Sequence, residues 1–202
     1  MVETGLWSMV GRLKSRSCRW VELSPPAGSP ALRRRRAGRA RVSAESLLYP
    51  LCVVDASRKA AGNPDYALTA DDLRVFELQH GAIPQGALVA MRTDWSLTHA
   101  DNPENRDGAG ISHHPGWTAE ALRFLTEERR AAAVGFEPAE ADPPALCPGL
   151  PGRRYLLGQD TLQITGLTNL DRVPAAGAIL LCTHAAATED GFLARCSAVF
   201  ER

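Results

Sequence analysis

Short apolar segments that alternate with capped helices are the feature that most constrains the fold of this chain. Residues 49–56, 87–91 and 131–136 are short apolar runs, the pattern of buried strands. Between them, Thr69 and Thr118 stand where a hydroxyl can cap the first turn of a helix. Strands that alternate with helices predict an α/β layer architecture.

The segment from Tyr155 to Leu181 carries turn chemistry between two further apolar strands. Asn169 and Asp171 have side chains that bond nearby backbone N–H groups, which favours a turn. Pro174 and Gly177 then interrupt the chain before a buried strand at residues 179–181. A terminal strand is expected at residues 195–200. Turns of this kind are common and by themselves indicate no function.

Charge divides the 202-residue chain into two parts. The net charge is zero, but residues 1–45 hold ten of the 23 Lys and Arg residues and three of the 23 acidic ones. This stretch is also rich in proline, and Arg33–Arg36 is a block of like charge. We therefore expect residues 1–45 to be a basic, Pro/Arg-rich, poorly ordered arm and residues 46–202 to be one α/β domain.

The basic arm has a second interpretation, as a contact for nucleic acid or another acidic surface. No aromatic residue interrupts the block Arg33–Arg36, so the stacking contacts typical of single-strand binding are missing. The sequence therefore favours a solvated tail over a nucleic-acid partner.

Cysteine usage and hydropathy indicate a reduced, cytoplasmic setting. The five cysteines are widely spaced and form no CxxC pair, which argues against a zinc ribbon or a disulfide framework. Cys52 and Cys182 lie in apolar runs and are interpreted as small buried hydrophobic residues. The longest apolar runs are far shorter than the ~20 residues that span a bilayer. No secretory signal pattern is present at the N-terminus.

The candidate ligand site follows the strand at residues 87–91. In open α/β sheets, ligands bind beyond the carboxyl ends of the strands. A polar loop over residues 97–112 comes next, and its length is typical of functional loops. The substrate-pocket candidates are Asp94, Trp95, His99, His113, His114 and Trp117, in which the two indoles would supply apolar walls.

A second interpretation of the same histidines is that they are metal ligands. His99, His113 and His114, together with Asp94 and Asp101, show no ligand spacing typical of a known metal site. The interpretation as polar groups that line a pocket is therefore preferred. His80 stands at the C-terminal end of a predicted helix, where a structural role is favoured, and His184 is expected at the surface.

Several segments together resemble the cyclase family of metal-dependent hydrolases, in its kynurenine formamidase- and isatin hydrolase-like branch. They occur in the family's order and at roughly its spacing, over about three quarters of the chain. The matching segments are residues 49–55 (YPLCVVD), 65–69 (DYALT), 80–84 (HGAIP), 92–96 (RTDWS), 114–117 (HPGW), 155–160 (YLLGQD) and 167–171 (LTNLD).

The resemblance implies a fold, a reaction and a cofactor. The fold is a cyclase-like swivelling β/β/α-type single domain. The implied reaction is hydrolysis of a small aromatic amide or lactam by water bound to a divalent metal, zinc or manganese. The expected partner is therefore a small-molecule substrate, and a homo-oligomer is compatible with the resemblance.

The chain also departs from the family pattern where the metal ligands are expected. Most ligands come from an upstream HxGTHxDxPxH motif, whereas the first histidine here is His80. Arg153–Arg154 stand where the family has a histidine, Thr165 stands where it has a glutamate, and residues 188–191 (TEDG) replace its Gly-Gly-Ser-Gly segment. We therefore expect an N-terminally truncated domain with a degenerate metal site and no assigned catalytic residue.

Two functional hypotheses follow. In the first, the chain is a hydrolase of the family and obtains its metal ligands from elsewhere. In the second, it is a non-catalytic remnant that keeps the scaffold and acts, if at all, as a binding protein.

Overall fold

In the described part of the chain, ten strands in two sheets form the framework. A computed structural model describes residues 18–25, 33–36, 48–159, 161–184 and 192–201, with backbone alone at 33–36, 184 and 192–194. The strands are β1 (Cys18–Glu22), β2 (Arg33–Arg36), β3 (Leu48–Asp55), β4 (Ala67–Leu68), β5 (Leu88–Arg92), β6 (Gly116–Trp117), β7 (Ala133–Phe136), β8 (Leu162–Thr165), β9 (Ala178–His184) and β10 (Phe192–Glu201).

The main sheet closes on itself. Its strand order is β1-β10-β2-β8-β7-β5-β3-β9, and β10 pairs with β9 as well. Strands β3, β5, β7 and β8 are mutually parallel, and we call them the parallel half. Strands β1, β2, β9 and β10 make only antiparallel pairs and form the antiparallel half. Closure leaves fewer unpaired strand edges than an open sheet would.

Two segments of the predicted N-terminal arm belong to the main sheet. Strand β1 pairs with β10, and strand β2, which is the block Arg33–Arg36, lies between β10 and β8. The boundary expected at residue 45 is therefore wrong for these two segments. The physical reason is that sheet closure supplies them with hydrogen-bond partners distant in sequence, which local composition does not reveal. Residues 23–25 of the predicted arm are also described, and the rest of it lies outside the described residues.

The helices cover the parallel half. They are α1 (Ser57–Gly62), α2 (Ala70–His80), α3 (Trp95–Thr98), α4 (Ala119–Arg123) and α5 (Pro151–Leu157), and α4 continues as a π-helical turn over Phe124–Glu128. No helix in the described part of the chain is long and apolar enough to cross a membrane.

Local sequence explains where α2 and α4 begin. The Thr69 hydroxyl accepts a hydrogen bond from the backbone N–H of Asp72 at 3.3 Å, and the Asp72 carboxylate accepts one from the backbone N–H of Thr69 at 2.8 Å. This reciprocal capping box starts α2. The Thr118 hydroxyl likewise caps α4 by accepting from Ala121 N–H at 3.1 Å. Both caps predicted from the sequence are confirmed.

Alternate residues along the strands of the parallel half pack into two separate cores. In β5, Leu88 and Ala90 point into an inner core inside the closed sheet, while Val89 and Met91 point into a helix-side core. All four side chains are fully buried, as the alternation of a strand covered on both faces requires. The carboxyl ends of β3, β5, β7 and β8 therefore emerge together at one edge of a rigid layer.

Candidate functional site

The carboxyl edge of the parallel half carries an ion-pair cluster. Arg92, the last residue of β5, donates two hydrogen bonds to the Asp94 carboxylate at 2.7 and 3.0 Å and a third to Asp55 at 3.0 Å. Asp94 itself has a left-handed backbone, with φ of 57°. Asp94 was a predicted pocket residue, and in the structure its carboxylate is committed to this bidentate pair.

A buried glutamate joins the ends of β5 and β7. Glu137 follows β7 directly and is 6% exposed. One carboxylate oxygen accepts from Thr93 N–H at 2.6 Å, Thr93 hydroxyl at 2.7 Å and Trp95 N–H at 3.2 Å, and the other accepts from the Ser96 hydroxyl at 2.7 Å. Burial raises the pKa of Glu137, while the hydrogen bonds from Ser96 and Thr93 act to lower it.

Glu137 is a residue that the sequence analysis missed. Its carboxylate accepts hydrogen bonds from Thr93, Trp95 N–H and Ser96, and so holds the turn that carries the Trp95 indole. The one available signal was an acidic residue directly after a buried strand. That signal does not distinguish a buried hydrogen-bonding centre from an ordinary solvated strand end.

Three aromatic rings meet beyond this turn. Trp95 is buried, and its ring stacks on His99 with centroids 3.6 Å apart and planes 5° apart. His114 meets the same indole edge-on, with centroids 6.1 Å apart. We call Trp95, His99 and His114 the aromatic cluster. Burial lowers the pKa of both imidazoles, which favours the neutral form of each ring.

The long loop folds back over the aromatic cluster. The Trp95 indole N–H donates to the Pro103 carbonyl at 3.3 Å, which ties the loop to the cluster. His114 Nδ1 donates to the Pro115 carbonyl at 3.0 Å. The loop predicted over residues 97–112 thus contacts the aromatic cluster through Pro103, and its first residues belong to the short helix α3.

His113 has a different environment from its neighbour His114. Its Nδ1 lies 2.8 Å from an Asp65 carboxylate oxygen, and its Nε2 lies 3.3 Å from an Asp107 carboxylate oxygen. The hydrogen bonds to Asp65 and Asp107 raise the pKa of His113. This imidazole fastens the end of the long loop to the segment before β4.

Trp117 lies in the helix-side core and is fully buried. It belongs to β6, which pairs with β4, and Trp117 N–H donates to the Ala141 carbonyl at 2.7 Å. The preceding Gly116 sits so close to residues 141–143 that a Cβ atom would come within 2.5 Å of the Ala141 carbonyl oxygen. This close approach explains the glycine in the His-Pro-Gly-Trp segment.

Of the six predicted pocket residues, the structure therefore brings together Trp95, His99 and His114. Asp94 lies next to them in an ion pair, His113 lies at the loop anchor, and Trp117 lies in the core. Among the described residues, no three His, Cys, Asp or Glu side chains converge as metal ligands would. The two carboxylates around His113 flank opposite ring nitrogens instead of meeting at one point.

Two of the three positions at which the chain departs from the family pattern lie in described elements. Arg153 and Arg154 are part of α5, whose first turn is capped by Asp142 through hydrogen bonds from Gly152 N–H and Arg153 N–H, both at 2.7 Å. Thr165 is the last residue of β8 and is buried. The segment 188–191 lies outside the described residues.

Comparison with known proteins identifies the family. The family model described as putative cyclase matches residues 27–143. Isatin hydrolase of Roseibium aggregatum is 34% identical over 143 residues, which are 68% of this chain and 53% of that protein. The chain thus spans about half the length of the curated relative it matches.

Solved structures agree with this match. Isatin hydrolase A from Labrenzia aggregata, bound to benzyl benzoate, is 27% identical with a TM-score of 0.79, and the alignment covers 98% of this chain and 100% of that one. An isatin hydrolase bound to the product analogue thioisatinate is 22% identical with a TM-score of 0.82, and both chains are covered completely. At 22% identity, the likeness to this second structure shows a shared fold and nothing further. The α/β fold predicted from the resemblance is confirmed, and the chain belongs to the cyclase family.

Proposed function

We propose that this chain is a hydrolase that acts on a small planar aromatic amide or lactam of the isatin type. The observation that carries the proposal is the position of the aromatic cluster. It lies at the carboxyl edge of the parallel half, within the residues that match the cyclase family model, in a chain 34% identical to an isatin hydrolase.

The chemistry of the aromatic cluster suits such a substrate. Trp95 and His99 stack with planes 5° apart, and flat aromatic surfaces of this kind can pack against a planar ring. The neutral imidazoles of His99 and His114 offer hydrogen-bonding nitrogens without a net charge, which matches an uncharged lactam. Glu137 acts as a positioning residue, because its four hydrogen bonds hold the turn that carries Trp95.

The metal that the resemblance implies does not fit the described residues. A divalent ion such as zinc or manganese needs several histidine and carboxylate ligands directed at one point. The described part of the chain offers no such group, and Thr165 and Arg153 stand where the resemblance expects a glutamate and a histidine. Any metal ligands would have to come from outside these residues, so no metal-assisted step is assigned to them.

The same disagreement supports a second candidate function. A chain that keeps the aromatic cluster but provides no ligand group would bind an aromatic lactam without opening it. Thr165 is the sharper argument for this alternative, because it lies at the end of a well-defined strand, β8.

Parallel measurements of hydrolysis and binding on one preparation separate the two candidates. Isatin ring opening is followed by absorbance, with N-formylkynurenine as the second substrate, in buffer alone and after exposure to zinc or manganese. Binding of isatin is followed by quenching of tryptophan fluorescence, and retained metal is measured by mass spectrometry after desalting. Trp95→Phe tests the cluster, and Trp20→Phe on β1 is the matched control.

Each outcome has a clear meaning. Metal-dependent ring opening that Trp95→Phe weakens and Trp20→Phe leaves unchanged supports the hydrolase. Quenching by isatin without ring opening, in a chain that retains no metal, supports the binding protein. If isatin at millimolar concentration is neither bound nor hydrolysed, both candidates are ruled out.

A further inference from the structure

Two cysteines in the antiparallel half lie directly opposite each other on neighbouring strands. In the register of β9 and β10, Cys182 is the partner of Cys196. Both residues carry thiols, both are fully buried, and both belong to the inner core. The aromatic cluster lies in the other half of the sheet, so the proposed function makes no use of this pair.

Backbone hydrogen bonds show which kind of cross-strand pair this is. Residues of an antiparallel strand point their N–H and C=O groups to the same neighbour. The Cys196 carbonyl accepts from Leu23 N–H at 2.9 Å, and Cys196 N–H donates to the Ser24 hydroxyl at 2.8 Å. Both groups of Cys196 therefore face the β1 side, and its pair with Cys182 is of the non-hydrogen-bonded type.

This type of pair suits a disulfide. In non-hydrogen-bonded pairs the Cα atoms are about 4.5 Å apart and the side chains approach closely. Disulfides span Cα separations of about 4.4 to 6.8 Å. The two side chains also share one face of the sheet, since both belong to the inner core. A bond between the two sulfurs therefore requires no change of register.

We propose that Cys182 and Cys196 form a redox modification site, a dithiol that small disulfides such as oxidised glutathione convert to a cross-strand disulfide. One cysteine, as a thiolate, attacks a sulfur of oxidised glutathione and releases one glutathione. The second cysteine thiolate then attacks the protein sulfur of the mixed disulfide and releases the other. The protein loses two electrons and two protons, and oxidised glutathione becomes two reduced glutathiones.

The cysteine pair lies two residue pairs from one end of the described β9–β10 ladder and three from the other, so oxidants reach it only when part of the ladder opens. On the shorter side in the described register, β9 and β10 share only the pairs Thr183↔Arg195 and His184↔Ala194. The adjoining contacts of β10 with β2 are the pairs of Phe192 and Leu193. Buried thiols react when local opening exposes them, and the ends of a ladder open most readily.

Cys52 supplies the matched control. It is also buried in a strand, β3, but the residue opposite it in register is Val89 on β5, which is not a cysteine. Burial, together with the charge of Glu77, raises the pKa of the Cys52 thiol to about 11. A buried cysteine without an opposite thiol should stay reduced under conditions that oxidise the pair.

The test uses the full chain equilibrated in glutathione buffers of graded oxidised-to-reduced ratio, below its unfolding temperature. Remaining thiols are alkylated under denaturing conditions, and peptides are mapped by mass spectrometry. We expect a linked Cys182–Cys196 peptide, loss of both thiols in parallel, and a thermal unfolding midpoint that rises by several degrees and falls again with reductant. Cys52→Ser should keep the linked peptide, and Cys196→Ser should abolish it.

Two results would overturn the proposal. One is alkylation of both thiols at every glutathione ratio in the folded wild-type chain. The other is a mixture of bridges to Cys18 or Cys147 with no excess of the Cys182–Cys196 bridge. Neither result depends on whether the chain hydrolyses or binds isatin, and both are read from the wild type even if Cys196→Ser fails to fold.

Discussion

The two halves of the closed sheet differ in how their faces are buried and in what lies at the ends of their strands. The parallel half is covered on both faces, and its carboxyl ends hold Glu137, the Arg92 ion pairs and the aromatic cluster. The antiparallel half has one buried face and one face that carries exposed apolar residues such as Trp20 and Ile179. A layer buried on both sides resists movement, so precise side-chain placement is concentrated there.

The largest effect should come from the centre of the parallel half. Replacing Glu137 by leucine leaves the N–H groups of Thr93 and Trp95 buried without their acceptor, and unsatisfied buried donors cost about 1–3 kcal/mol each. We expect the free energy of unfolding to fall by about 4 kcal/mol in urea denaturation.

The exposed Glu128 provides the control for this prediction. Glu128→Leu should change the free energy of unfolding by no more than about 0.5 kcal/mol, as is usual for surface substitutions. If the two variants were equally stable, the buried carboxylate would not be a centre of the carboxyl edge, and the contrast between the halves would lose its main support.

Neighbouring residues on one strand give a direct test of the two-sided burial. On β5, Leu88→Ala and Val89→Ala should both destabilise the protein, by about 3 and 2 kcal/mol, because each removes methyl groups from a core. On β9, Leu180→Ala should cost about 3 kcal/mol and Ile179→Ala less than about 1 kcal/mol, because Ile179 is 45% exposed. Chemical denaturation of the four variants measures this, and equal costs on β9 would contradict it.

A smaller effect is expected at the close approach between β6 and residues 141–143. In Gly116→Ala the new methyl group would meet backbone atoms of Ala141, Asp142 and Pro143 at 2.5–2.7 Å, and backbone cannot move aside as a side chain can. We expect a loss of about 2 kcal/mol. Thermal unfolding of both variants measures this. Gly108→Ala, where no atom lies within 4 Å of the added carbon, should leave the free energy of unfolding nearly unchanged.

The smallest effects concern pH, and they have opposite signs at two adjacent residues. The pKa of His113 is raised, so its contribution to stability is complete below the unfolded value of 6.5 and is lost as the pH rises through the folded-state pKa. The pKa of His114 is lowered, so the unfolded chain binds a proton that the folded chain does not, and stability falls as the pH drops through 6.5.

An NMR titration of the histidine ring protons checks both signs. His113 should titrate above 6.5 and His114 below it. In Asp65→Asn the His113 value should move back towards 6.5 while His114 changes little, because Asp65 is the first hydrogen-bond partner of His113. Coinciding titration curves in the wild type would refute the assignment of two separate environments.

The sequence predicted apolar strands throughout the parallel half, whereas in the antiparallel half it predicted β9 and β10 and missed β1 and β2. Strands β3, β5 and β7 and the caps at Thr69 and Thr118 follow from local signals, namely apolar runs and hydroxyls at fixed offsets. Strand β2 had no local signal, since a block of four arginines becomes a strand only through its pairing with β8 and β10. Its place in the sheet is set by contacts distant in sequence.

The candidate site shows the same limit. Trp95 could be selected because it follows a strand end, and His99 and His114 because of the long polar loop behind it; the structure does bring the three rings together. Glu137 could not be selected, because its importance comes from burial against a turn more than forty positions away. His113 and His114 are adjacent in sequence, yet tertiary contacts give them opposite pKa shifts.

Strand β10 has a consequence for how the protein is made. It pairs with β1 and β2 near the beginning of the described chain and with β9 just before it, so its residues join contacts about 170 positions apart. On the ribosome, β1 and β2 must wait without β10 until residues 192–201 have emerged from the exit tunnel. Such a high contact order predicts slow completion of folding, during which the waiting strands are exposed to association with other chains.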